Sequence, residues 1–67
     1  MTDWKELVGK RVLLRYHPFG YIEEARILEL SPSGKCIKVE WIGKNTVVKW
    51  HTVVDFEFHY KLVEVLD

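Results

Sequence analysis

Residues 23 to 41 read EEARILEL (Glu23–Leu30), SPSG (Ser31–Gly34) and KCIKVEW (Lys35–Trp41), two β-prone runs on either side of a turn. Pro32 holds the backbone near the φ needed at the first central position of a type I turn and Ser33 suits the second. Gly34 takes the left-handed conformation that closes a three-residue hairpin with a bulge. That loop sets Ser31 opposite Lys35. Counting outward, Ile27 faces Val39, Ala25 faces Trp41 and Arg26 faces Glu40, so apolar side chains meet and opposite charges meet. A two-residue loop would set Ile27 against Lys38 and Ala25 against Glu40, with side chains turned to the wrong face. The hairpin predicts a small β-barrel.

The flanking segments agree with it. Asp3 and Glu6 stand at N-cap spacing, Trp4, Leu7 and Val8 share a helical face, and Gly9 suits an exit. One helical turn is predicted, laying Trp4 and Leu7 over an end of the barrel. Lys10–Tyr16 alternates, with Val12, Leu14 and Tyr16 on one face and Arg11 and Arg15 on the other, which predicts strand one. A loop from His17 to Gly20 leads to strand two, Tyr21–Leu30. There Tyr21, Ala25 and Ile27 have one parity and Leu28 and Leu30 the other, the mark of a strand that bends and changes its inward face. Strand three is Lys35–Trp41, with Ile37, Val39 and Trp41 inward. After a turn at Gly43–Asn45, strand four is Thr46–His51, and strand five is Tyr60–Leu66. Residues 52–59 fit either a short helical turn or an extra strand, since Val54, Phe56 and Phe58 alternate.

A chain of 67 residues makes one domain, 1–67, and its 48% hydrophobic and 13% aromatic content argues against disorder. Ten basic and ten acidic residues cancel, which disfavours a protein whose main task is to hold a phosphate backbone. The cancellation is uneven: residues 1–15 carry +2, 16–34 carry −2, 35–49 carry +3 and 50–67 carry −3. Neighbouring strands of opposite sign imply cross-strand charge pairing on a solvated face. Alternatively, Lys35, Lys38, Lys44 and Lys49 form a basic strip for an acidic partner or nucleic acid. The single cysteine, Cys36, excludes an internal disulfide framework and suits a reducing compartment. With no signal peptide, transmembrane run or lipidation motif, the expected location is cytoplasmic and the membrane is not a partner.

A bent second strand, tight turns and five strands in so short a chain resemble the small SH3-like barrel superfamily, its Tudor-like members most. The resemblance covers Val8 to Leu66 and rests on Val8-Gly9-Lys10-Arg11-Val12, Glu24-Ala25-Arg26-Ile27-Leu28 and Lys38-Val39-Glu40-Trp41. Tudor domains commonly carry an aspartate, an aromatic, a glycine and an asparagine after the third strand. Here the stretch reads Trp41-Ile42-Gly43-Lys44-Asn45, lacking the aspartate and adding a lysine. The resemblance implies an all-β, five-stranded SH3-like barrel with a short N-terminal helical turn.

In such a barrel Tyr16 and Tyr21 meet at one mouth, Trp41 reaches it by pairing with Ala25, and Phe19 lies on the intervening loop. With Glu23 and Glu24 at the rim, these rings either cap the core or form a surface for a protein or peptide, including a cationic group held over aromatic faces. Arg15, Tyr16, Phe19, Tyr21 and Arg26 also offer the elements for stacking on unpaired bases. Cys36, His17, His51 and His59 do not fall at zinc-ligand spacing, and no metal or cofactor is expected. Glu23 and Glu24 are adjacent on a strand and point to opposite faces, and Asp55 and Glu57 share parity without a deep cleft to tune them. The chain is expected not to be an enzyme. The reading is a non-catalytic interaction module that binds through Tyr16, Phe19, Tyr21 and Trp41. The alternatives are nucleic-acid binding through the lysine strip and a homo-oligomeric structural subunit with Val53, Val54, Phe56 and Phe58 as its interface.

Overall fold

Strands β2 (Tyr21–Leu30) and β3 (Cys36–Ile42) pair antiparallel in the computed structural model, which describes residues 2–67. Ala25 lies opposite Trp41, Arg26 opposite Glu40 and Ile27 opposite Val39, the register expected from the hairpin. The loop itself differs. Ser31 pairs with Cys36 rather than Lys35: its N–H donates to the Cys36 carbonyl at 2.9 Å and its Oγ accepts from the Cys36 N–H at 3.0 Å. Gly34 does take positive φ, at 75°, with its N–H on the Ser31 carbonyl at 2.8 Å. The loop thus runs from Pro32 to Lys35, one residue longer than expected. A register shift between Ile27 and Glu29 compensates, leaving Leu28 as the extra residue on β2. This bulge is the bend that the parity change in β2 announced. It keeps Ala25 and Ile27 inward on one side and turns Leu30 toward the core on the other.

β1 (Arg11–Tyr16) pairs with both β2 and β5 (Tyr60–Val65), and β4 (Val47–Thr52) pairs with β3, so the sheet order is β4-β3-β2-β1-β5. The sheet is mostly antiparallel meander and is open. β4 and β5 each pair on one side only, and the closed barrel expected from the sequence is not formed by strand pairing among the described residues. Residues 52–59 connect the two edge strands. They form α1 (Val53–His59), with the Thr52 Oγ1 accepting from the Asp55 N–H at 3.3 Å as an N-cap. α1 leads from β4 into β5, and its Phe56, only 1% exposed, packs against His51 of β4 and Tyr60 of β5.

The core joins Val12 and Leu14 of β1, Ala25 and Ile27 of β2, and Ile37 and Val39 of β3 to Phe56 and Trp4. Trp4 comes from a 3₁₀ turn, Trp4–Leu7, whose Leu7 also packs on the core, as the plug reading required. Asp3 sits at the N-cap, yet its side chain makes no capping bond and its carbonyl accepts from the Glu6 N–H at 3.2 Å. The turn is tied to β2 instead, through the Gly9 N–H on the Ile27 carbonyl at 2.6 Å. Trp4 and Phe56 meet at 5.2 Å and 72°, an edge-to-face contact between the two chain segments outside the sheet's centre.

On the outer face, charges pair across strands as the block pattern implied: Arg11 with Glu24 at 3.3 Å, Arg26 with Glu40 at 3.6 Å and Lys38 with Glu29 at 3.9 Å. Arg11 also donates to Asp67 from its backbone N–H at 2.9 Å and from Nε at 3.1 Å. These bonds, the backbone one foremost, hold the Asp67 carboxyl below its ordinary range.

Candidate functional site

Period-two alternation sends Tyr16 of β1, Tyr21 and Glu23 of β2 and Trp41 of β3 to the same side of the sheet as the core residues, but past the end where the core stops. Tyr16 lies 6.0 Å from Phe19, and Phe19 lies 5.9 Å from Tyr21, so three of the four expected rings are in contact. Trp41 joins them through a residue that the sequence reading did not place in the site. Tyr60, opposite Tyr16 at the start of β5, is 4.7 Å from Trp41 and 5.3 Å from Tyr16. His59 stacks on Tyr16 at 6.3 Å and 10°, and Phe58 meets His59 edge-on at 5.1 Å. The aromatic surface is therefore branched at Tyr16. One arm reaches Phe19 and Tyr21, one passes through Tyr60 to Trp41, and one runs through His59 to Phe58. The tips are bare: Phe19 is 70% exposed, Tyr21 65% and Phe58 73%.

Two clefts open on this surface. One, of about 300 Å³, is lined by Tyr16, Tyr21, Glu23 and Tyr60. The other, of about 280 Å³, is lined by Glu23, Trp41, Val47, Lys49, His51 and Tyr60. Glu23 and Tyr60 belong to both. A wider cleft, of about 610 Å³, lies instead between the 3₁₀ turn and the β2–β3 loop, where Val8, Leu30 and Pro32 line it without an aromatic side chain.

Glu24 does not belong to the rim. It points to the outer face between Leu13 and Ile42 and is engaged by Arg11, as its adjacency to Glu23 on a strand requires. The four lysines of the proposed strip are not brought together either. Lys35 and Lys44 lie beyond opposite ends of β3. Lys38 is on the outer face, over Trp50 at 5.9 Å, and Lys49 is on the inner face opposite Val39. Of the suggested oligomer residues, Phe56 is in the core and Val53 packs against it, while Val54 is 83% exposed on the other side of α1. Those four do not form one surface. Among the described residues no group of three or more His, Cys, Asp or Glu side chains is placed to hold a metal ion, and no helix is long and apolar enough to cross a membrane.

The chain matches no protein-family model, no curated protein and no solved structure.

His51 supports the Trp41 arm from below. Its Nε2 accepts from the Trp41 indole N–H at 3.3 Å, so the proton of the neutral ring sits on Nδ1. Burial pushes the imidazole below its ordinary value of 6.5, opposed by the Asp55 carboxylate and assisted by Lys49. The neutral form is the one that the fold holds. Its contribution to stability is complete above pH 6.5 and is lost as the pH falls through the lower folded-state value. Urea midpoints are therefore expected to drop with acidification through this range. His51→Gln, which keeps an acceptor for Trp41, is expected to flatten that part of the profile. An identical profile in the variant would assign the pH sensitivity to other groups. Burial, with Glu23 and Tyr16 adding to it, also holds the Tyr60 hydroxyl above its ordinary value.

Proposed function

We propose that the protein is a non-catalytic interaction module that holds an apolar or cationic side chain of a protein or peptide partner on the aromatic surface around Glu23. The observation that supports this reading is the unbroken run of ring contacts from Trp41 through Tyr60 and Tyr16 to the exposed Phe19 and Tyr21. The half-buried rings of Trp41, Tyr60 and Tyr16 anchor the run, and its exposed end presents apolar area that water solvates poorly. Glu23 lines both clefts and has no ion-pair partner among the described residues. A cation seated between the tyrosines would gain ring attraction of about 0.5–2 kcal/mol in addition to the field of that carboxylate. The same reading takes the meander, whose last strand returns to β1, as an open variant of the SH3-like, Tudor-like plan.

Amide-shift titration with short glycine-flanked peptides carrying a central lysine, arginine or norleucine tests it. Shifts are expected at Tyr16, Phe19, Tyr21 and Tyr60, with the cationic peptides bound more tightly. Glu23→Gln should abolish that preference. Tyr21→Ala should weaken binding by about tenfold or more, since exposed aromatic anchors dominate such contacts. It should leave the unfolding free energy within about 0.5 kcal/mol, because the ring is largely in solvent. Peptides that shift none of these amides would sink the proposal.

A further inference from the structure

We propose that the free edge of β4 is a second docking site, for an extended partner segment in which acidic and apolar residues alternate. The hydrogen-bond pattern identifies which groups the edge offers. The Val53 N–H donates to the Lys35 carbonyl at 2.8 Å, while the Cys36 carbonyl faces β2 and accepts from Ser31. Alternation along an antiparallel ladder then makes Ile37–His51, Val39–Lys49 and Trp41–Val47 the hydrogen-bonded pairs. The N–H and C=O groups of Val48 and Trp50 consequently point away from β3, and no other backbone bond among the described residues uses them. A polypeptide strand satisfies such a row directly, which a nucleic-acid backbone does not.

The two sheet edges are not equivalent. β5 is interrupted by a register shift where it meets Leu13 and Leu14, and such irregularities protect an edge from pairing. β4 keeps an unbroken register with β3 from Val47 to Thr52, contains no proline or glycine, and has Val47, Val48, Lys49 and Trp50 all exposed.

Charge specifies the occupant. From Lys35 to Thr52 the only acid is Glu40, engaged by Arg26 at 3.6 Å; Lys38 is engaged by Glu29 at 3.9 Å and Lys35 and Lys44 lie outside the strands, so the charge on the edge itself is that of Lys49. Lys49 projects from the inner side of β4 with no ion-pair partner among the described residues, while Val48, 46% exposed, and Trp50, 51% exposed, project from the outer side. A strand laid along β4 places the residue opposite Lys49 on the inner side and the residues opposite Val48 and Trp50 on the outer side. Complementarity therefore asks for a carboxylate flanked by apolar side chains.

The probes are an acetylated, amidated Val-Glu-Val-Glu-Val-Glu peptide and its counterpart with lysine at each glutamate. The acidic peptide is expected to bind and to slow amide exchange at Val48 and Trp50. Lys49→Glu should weaken it by about tenfold or more and transfer binding to the lysine peptide, as reversal of a specific charge contact does. Tyr21→Ala should leave this binding unchanged, so loss of the aromatic surface and loss of the β4 edge are separate results. Equal binding of the two peptides by the wild type overturns the proposal. So does binding of oligo(dT) at Lys49 without protection of Val48 and Trp50. Protection of those amides in the peptide-free protein, together with a doubled molecular mass, overturns it as well by assigning the edge to a second copy.

Discussion

Phe56→Ala is expected to lower the free energy of unfolding by about 3–5 kcal/mol, the cost of emptying an aromatic core position. Phe56 is 1% exposed and its ring lies 5.2 Å from Trp4, 5.2 Å from Tyr60, 5.5 Å from His51 and 6.0 Å from Trp41. It therefore joins the 3₁₀ turn, β3, β4 and β5 at one point. A domain of 67 residues typically holds about 0.05–0.15 kcal/mol of stability per residue, so the expected loss is comparable to the whole. The neighbouring helical residues supply the contrast. Val54→Ala and Phe58→Ala touch side chains 83% and 73% exposed and should change stability by no more than about 0.5 kcal/mol. Urea unfolding of the three variants checks the orientation of α1. A large cost at Phe58 with a small one at Phe56 would mean that the helix presents its other face to the core.

The contrast also marks the limit of what could be read from the letters. The β2–β3 register was legible because Arg26 and Glu40, Ile27 and Val39, and Ala25 and Trp41 each match in kind, and a one-residue slip breaks all three pairs together. The bend in β2 was legible from the parity of Leu28 and Leu30. The loop length was not, because the Ser31 and Ser33 hydroxyls capture the Cys36 and Lys35 N–H groups and extend the turn, an effect that the bulge at Leu28 then hides from the register. Residues 52–59 resisted reading for another reason. Val54, Phe56 and Phe58 alternate as a strand would, yet only Phe56 is buried, and the decisive signal was the Thr52 cap three residues before Asp55. With that segment undetermined, the position of β5 was open too, and with it the roles of Tyr60, His59 and His51. The aromatic residues contributed by β1, β2, β3 and the β1–β2 loop were legible, whereas those delivered by α1 and β5 and the supporting His51 on β4 were not.

Tyr60→Ala is expected to have the other large effect, acting on stability and on the proposed binding surface together. The ring is half-buried and touches Tyr16, Trp41 and Phe56 at 5.3, 4.7 and 5.2 Å. Its removal should cost about 2–3 kcal/mol, less than Phe56 because part of the side chain is already in water. It should also separate Trp41 from the Tyr16, Phe19 and Tyr21 arm and merge the two clefts that share it. Binding of the cationic peptides should then fall by at least as much as in Tyr21→Ala. Tyr60→Phe distinguishes the ring from the hydroxyl: it keeps the three ring contacts, so stability should change by less than about 1 kcal/mol. If the hydroxyl serves only to solvate the rim, Tyr60→Phe should also bind as the wild type does. If it orders the Glu23 carboxylate beside it, the preference for lysine or arginine over norleucine should shrink while norleucine binding holds. Full cationic binding by a folded Tyr60→Ala protein would contradict the view that the two arms act as one surface.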